Sequence, residues 1–287
     1  MGTVRHLQTE DADIAFWDEG SGEPVLLVHA SFCADWFAPL AQLLPGCRVV
    51  RTHRAGYGLS RDLSGGLSLV DHARHLADVL QARGIERAHV VGHSSGGSVA
   101  LQLAAAHPGL VGSMVLMEPA FPHVAGESKS DAMRNAVAAA KEGDLERAFD
   151  FFPGHVCSPG YRDVFMRTLG AAGLEEAVRG GRYFFEHEMA ALGGWDSDAA
   201  GLDGLGQPTL LVAGAEGERL GTPYRVRNRA LAGRLAHAEE ILLPGVSHAM
   251  PLEDPSLVAQ TVLEFVGRHP LDVVRGGQRA RVGEPGA

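Results

Sequence analysis

The chain is 287 residues long and 30.3 kDa, with 45% hydrophobic and 21% charged residues. That suits a globular protein with one large core and an insertion better than two full domains. Its 35 acidic against 25 basic side chains give a net charge of −10, which argues against a general nucleic-acid binder needing a basic face.

In chain order, residues 3–9 and 13–18 read as an antiparallel meander at a sheet edge. Residues 24–30 are a continuous apolar run, as a strand buried on both faces requires, and 47–51, 88–91 and 114–117 repeat the pattern. Between them, residues 68–83 place Leu69, Ala73, Leu76 and Leu80 on one helical face. Ser68 with Asp71 predicts a capping box, and Gly84 a helix exit. Strands separated by helices predict an α/β fold with a mostly parallel sheet and right-handed crossovers. The alternation resumes after residue 207, with strands at 208–215 and 240–243 and helices at 223–236 and 255–268. Residues 121–206 hold helical patterns (128–141, 145–152, 161–169, 174–192) and no strand pattern, so they read as a helical cap. The expected organisation is a core at 1–120 and 207–270, a cap at 121–206, and a disordered tail at 271–287 with no periodicity.

The runs at 24–30 and 208–215 are too short to span a membrane. The first residues are polar where a signal peptide needs an apolar stretch. Cys33, Cys47 and Cys157 are too few and too scattered for a disulfide scaffold or a zinc site. A reduced, cytoplasmic setting is the expectation, without metal, membrane or nucleic acid, as a monomer or homodimer.

The strongest chemical signal is Gly92-His93-Ser94-Ser95-Gly96, directly after one predicted strand and directly before an Ala-rich helix at 98–107. A serine on a tight strand-to-helix turn has its hydroxyl lifted clear of the sheet, and the helix N-terminus offers free N–H groups to developing negative charge. A serine hydroxyl needs a base. His248, in Pro244-Gly245-Val246-Ser247-His248, follows the last predicted strand and comes to the same sheet edge. At the exit of the first central strand lies His29-Ala30-Ser31-Phe32. The backbone N–H groups of Ser31 and Ser95 are the expected oxyanion-hole donors.

These motifs, with Arg54-Ala55-Gly56-Tyr57-Gly58-Leu59-Ser60 after the second central strand, make the chain resemble the α/β-hydrolase fold superfamily over about residues 3–269. Three positions depart from the pattern. Ala30 stands where the family usually has glycine. His53 stands at a usual aspartate that is generally structural, and a structural role is expected of it too. Gly217 occupies the usual place of the triad acid, flanked by Glu216 and Glu218. Some relatives place the acid at the strand end where Glu118 stands, so the resemblance leaves Glu118, Glu218 and Glu216 as candidates, with Glu118 preferred.

A serine at the elbow separates the chain from the haloalkane dehalogenases and epoxide hydrolases of this fold, which use aspartate. It implies acyl transfer. The expectation is a cofactor-free serine hydrolase using Ser94, His248 and Glu118 on a small-molecule carboxylic ester or lactone, largely apolar. The alternatives are carbon–carbon bond cleavage by the same residues, or a non-catalytic small-molecule binder. Phe32, Trp36, Phe121 and Phe184 are the expected pocket residues.

Overall fold

The computed structural model describes residues 2–120 and 130–271. The apolar runs form strands of one sheet. Among the described residues these are β1 (Arg5–Gln8), β2 (Ala12–Gly20), β3 (Glu23–Val28), β4 (Cys47–Thr52), β5 (Arg61–Asp62), β6 (Ala88–His93), β7 (Val111–Met117), β8 (Thr209–Gly214) and β9 (Ala238–Leu243). Their spatial order is β1-β2-β4-β3-β6-β7-β8-β9, with β5 on β2 off that path. The edge formed by β1, β2 and β5 is antiparallel, as is β2 on β4. From β4 to β9 every pairing is parallel.

Strand alternation divides the core in two. Val25 and Leu27 point to the side covered by helix Pro255–Arg268, where Val258, Val262 and Phe265 meet them. Leu26 and Val28 point to the opposite side, against Leu76 and Leu80 of helix Leu69–Ala82 and Leu101 of helix Ser95–Ala106. With both faces covered, every residue of β6, β7 and β8 is buried, which is why these strands read as unbroken apolar runs. The capping box forms as expected: Ser68 Oγ accepts from the Asp71 N–H, and the Asp71 carboxylate accepts from the Ser68 N–H.

After β3 the chain steps to β4 on one side, then returns to place β6 on the other. This reversal opens a crevice beyond the carboxyl ends of β3 and β6, where open α/β sheets bind ligands. Three non-glycine residues with positive φ lie at successive strand ends there: Phe32 (70°) after β3, Ser94 (51°) after β6 and Glu118 (44°) after β7. Such conformations cost on the order of 1–3 kcal/mol each and concentrate at functional sites.

Between β7 and β8 the described residues contain only helices: Asp131–Lys141, Leu145–Phe151, Pro153–Val156, Tyr161–Tyr183, a π-helical turn Phe184–Glu188, and Met189–Gly194. The helices expected separately at 161–169 and 174–192 are joined. Gly170 (φ 77°, ψ 178°) breaks the regular geometry inside Tyr161–Tyr183, and the π turn follows it without a loop. The helical layer packs onto the crevice through an aromatic cluster that includes Phe32, Phe149, Phe165 and Phe184. Phe121 and residues 272–287, covering all but the first position of the expected tail, lie outside the described residues. No helix among the described residues is long and apolar enough to cross a membrane.

Candidate active site

β6 runs directly into the turn that carries Ser94. The Ser94 N–H donates to the Met117 carbonyl at 2.9 Å, and its own carbonyl accepts from the N–H groups of Gly97 (2.9 Å) and Ala120 (3.0 Å). These bonds hold the residue at φ 51°, ψ −120°. Gly96 is required by close packing: a Cβ there would lie 2.2 Å from the Val28 carbonyl oxygen. Ser94 is 8% exposed, and its hydroxyl has no hydrogen-bond partner among the described residues.

The loop after β9 brings in His248. Its Nδ1 lies 2.6 Å from Glu118 Oε2, and both side chains are buried. Glu118 Oε1 accepts the Gly214 N–H at 2.9 Å, and the Glu118 N–H donates to the Val212 carbonyl. Burial pushes the Glu118 carboxyl up to about 8, with the Gly214 N–H opposing. Burial, and then the Arg227 charge, push His248 down to about 3. The other two candidate acids point elsewhere: Glu218 pairs with Arg225, and Glu216 with Arg219 at 2.9 Å. One face of His248 is covered by Tyr224, whose ring is parallel within 3° at 4.5 Å between centroids. The Tyr224 hydroxyl lies 3.5 Å from His248 Nε2. The His93 ring sits 4.7 Å away, and His93 Nε2–H donates to the His248 carbonyl at 2.9 Å.

At the end of β3, the His29 Nδ1–H donates to the Ala30 carbonyl (2.6 Å), and its Nε2 accepts the Arg54 N–H (2.8 Å). The Ser31 and Ser95 N–H groups have no acceptor among the described residues. Their side chains meet, with Ser31 Oγ donating to Ser95 Oγ at 2.9 Å. Behind them Arg54 donates to Ser95 Oγ (2.9 Å), to the His29 carbonyl (3.0 Å) and to Glu188 of the cap (2.5 Å). The Tyr57 hydroxyl donates to the other Glu188 oxygen. Burial opposes the charge on Glu188, yet the Arg54 guanidinium holds its carboxyl below the usual range. The strained Ser94 turn, the Glu118–His248 contact and the unpaired N–H groups of Ser31 and Ser95 thus all lie beyond the carboxyl ends of neighbouring strands, a set of groups suited to acyl transfer.

The family model for the alpha/beta hydrolase fold matches residues 23–255. The chain is an α/β hydrolase. It is 27% identical over 270 residues to 2-hydroxymuconate semialdehyde hydrolase of Pseudomonas sp. (strain CF600), covering 87% of this chain and 88% of the relative. It is 29% identical over 254 residues to a Variovorax paradoxus (strain S110) protein whose name provisionally assigns it as the carbamate hydrolase RutD, covering 86% and 92%. The structure of the enol-lactonase from Burkholderia xenovorans LB400 superimposes with a TM-score of 0.76 at 18% identity, over 92% of this chain and 100% of that one.

The remaining predicted residues of this α/β hydrolase fall in the aromatic cluster. Phe32 stacks on Phe152 (5.5 Å) and leans on Phe184 (4.8 Å), so both join the cap to the loop after β3. Trp36 packs on His93 and Phe165, and its Nε1–H donates to the Ser31 carbonyl at 2.9 Å. His53 lies off the crevice: its Nδ1 accepts the Leu59 N–H, its Nε2 meets Asp35 at 3.2 Å, and its ring rests on Trp17. Sequence reasoning did not find Tyr224 or Glu188. A single tyrosine or glutamate in a helical pattern carries no sign of which way it faces. Arg54 lies in the Arg54–Ser60 segment, where the sequence carries no sign of burial; in the structure it is 2% exposed. No group of three or more His, Cys, Asp or Glu among the described residues could hold a metal ion.

Proposed function

We propose that this chain is a serine hydrolase that cleaves a carboxylic ester or lactone of small to medium, largely apolar character through an acyl-enzyme. Ser94 Oγ attacks the carbonyl carbon while its proton passes to His248 Nε2. The carbonyl electron pair moves onto oxygen, held by the Ser31 and Ser95 N–H groups. Collapse breaks the bond to the alcohol, which takes the proton from His248. Water, deprotonated by His248, then attacks the acyl carbon and releases Ser94. Glu118 fixes the imidazole with Nδ1–H toward its carboxylate, leaving Nε2 free as base. The observation that carries the reading is the 2.6 Å Glu118–His248 contact beside the strained Ser94 turn. Serine and imidazole must still close up, as such bonds commonly do on substrate binding.

Ser94→Ala should lower turnover of 4-nitrophenyl esters by on the order of 10³-fold or more and remove covalent labelling by a fluorophosphonate. A variant with a rate near wild type would take Ser94 out of the mechanism. Dialysis against EDTA should leave the rate unchanged, because side chains supply both nucleophile and base. A loss restored by a divalent cation would refute that. Carbon–carbon cleavage next to a ketone is the second reading, favoured by the similarity to 2-hydroxymuconate semialdehyde hydrolase over 87% of this chain. A panel of esters, lactones and vinylogous diketones separates the two by kcat/KM.

A further inference from the structure

We propose that Arg54 is a positioning residue for the oxyanion hole, and that Glu188 makes its placement depend on the docked cap. The proposal rests on the acyl-transfer reading and deepens it. Each nitrogen of the guanidinium is engaged. Nε holds the His29 carbonyl at the exit of β3, Nη2 holds Ser95 Oγ after β6, and Nη1 holds Glu188 on the cap. Ser95 Oγ accepts from Arg54 and from Ser31 Oγ together, so one side chain bridges the two residues whose N–H groups face the crevice. An oxyanion hole acts through donors fixed before charge develops, and small displacements of either donor weaken it.

Arg54 and Glu188 are each 1% exposed at the side chain. A planar fork with all three nitrogens committed to protein acceptors is not a pocket for a substrate carboxylate. It is a brace. Glu188 is its counter-ion, and Glu188 belongs to the cap. Lifting the cap would leave a guanidinium buried without its partner, a state that drives the side chain toward water and away from Ser95. The Arg54–Glu188 pair thus ties the docked position of the cap to the geometry of the hole.

The test uses full-length protein and the rate at which a fluorophosphonate labels Ser94. In that reaction Oγ attacks phosphorus, the P–O bond forms, the P–F bond breaks with loss of fluoride, the serine proton goes to His248, and the phosphoryl oxygen draws on the hole. Ser95→Ala keeps the N–H donor and removes only the bridging hydroxyl. Glu188→Gln keeps the shape and removes the charge. Arg54→Lys keeps the charge and removes the fork. Each should label at least tenfold more slowly than wild type. With 4-nitrophenyl butyrate each should lose kcat with KM within twofold, the pattern of an interaction made in the transition state. If Glu188→Gln or Arg54→Lys fails to fold, Ser95→Ala decides alone. Wild-type labelling with Ser95→Ala within threefold of it overturns the brace and leaves the serine-hydrolase reading standing. Wild-type protein that neither labels nor turns over overturns both.

Discussion

Burial pushes both Glu118 and His248 toward their neutral forms, the carboxyl upward and the imidazole downward. For Nε2 to act as base, Nδ1 must carry the hydrogen and Glu118 must be ionised. Since burial raises the Glu118 carboxyl to about 8, activity should climb through the neutral range toward about pH 8, as a kcat/KM profile would show. Stability should move the other way. At this one carboxyl the folded state holds its proton between about 4.5 and about 8 where the unfolded chain does not, so the stability it contributes is fully present at low pH and is lost across that interval, while the lowered imidazole of His248 acts in the opposite sense at lower pH. Glu118→Gln should cost on the order of 10²–10⁴ in kcat. It should also flatten that part of the melting-temperature profile. A variant near wild-type activity would show that His248 takes its orientation from elsewhere. The neighbouring Gly217 offers a second check. A Cβ there would sit 3.6 Å from Glu118 Oε1 and 2.8 Å from Thr222 Oγ1. Gly217→Asp should therefore restore part of the rate to Glu118→Ala, with Thr222 yielding slightly. An unrescued double variant would mean that residue 217 cannot reach the imidazole.

Gly180 shows how closely the cap elements meet the crevice. A Cβ at this position would fall 1.7 Å from the Phe32 carbonyl oxygen, so helix Tyr161–Tyr183 can lie on the loop after β3 only with glycine there. Gly180→Ala should displace that helix, lower kcat at least tenfold and leave the sheet intact; unchanged kinetics would show that the contact yields freely. At this scale the strands were legible because burial on both faces leaves an unbroken apolar signature, as in Val25–Val28 or Val111–Met117. The Ser94 turn was legible because strand, glycines and helix are adjacent in sequence. The acid was open among three carboxylates with Glu118 preferred, since which of them meets His248 depends on how β7 and β8 end in space. Glu188 and Tyr224 were not legible, because a polar residue on a helix has the same pattern whether it meets solvent or a buried partner. The π turn was hidden too: Phe184–Glu188 has the composition of ordinary helix, and its last residue, Glu188, meets Arg54 and Tyr57, which are 134 and 131 residues distant in sequence.

For the molecule as a whole, three of the contacts between the cap and the body differ in kind. Aromatic rings pack on Phe32, the Val156 carbonyl accepts the His248 N–H at 3.3 Å, and Glu188 meets Arg54. The loops that carry Ser94, His248 and Ser31 are each in contact with it directly or through one residue. Glu188→Ala leaves a buried guanidinium unpaired and should destabilise the protein by about 3–5 kcal/mol, measurable by denaturant melts. A loss below about 1 kcal/mol would show that Arg54 finds water instead. The π-helical turn gives this arrangement an evolutionary edge. It holds one residue more than an α-helical turn, and losing a single codon among Phe184–Glu188 would restore regular helix and rotate whatever follows by about 100°. Depending on which codon is lost, Glu188 would turn away from Arg54 while every catalytic side chain kept its identity. Relatives that differ by one deletion here would retain the serine, histidine and acid in an alignment and yet have a cap uncoupled from the chemistry, so indels in this turn sort such enzymes where substitutions at the named catalytic positions do not.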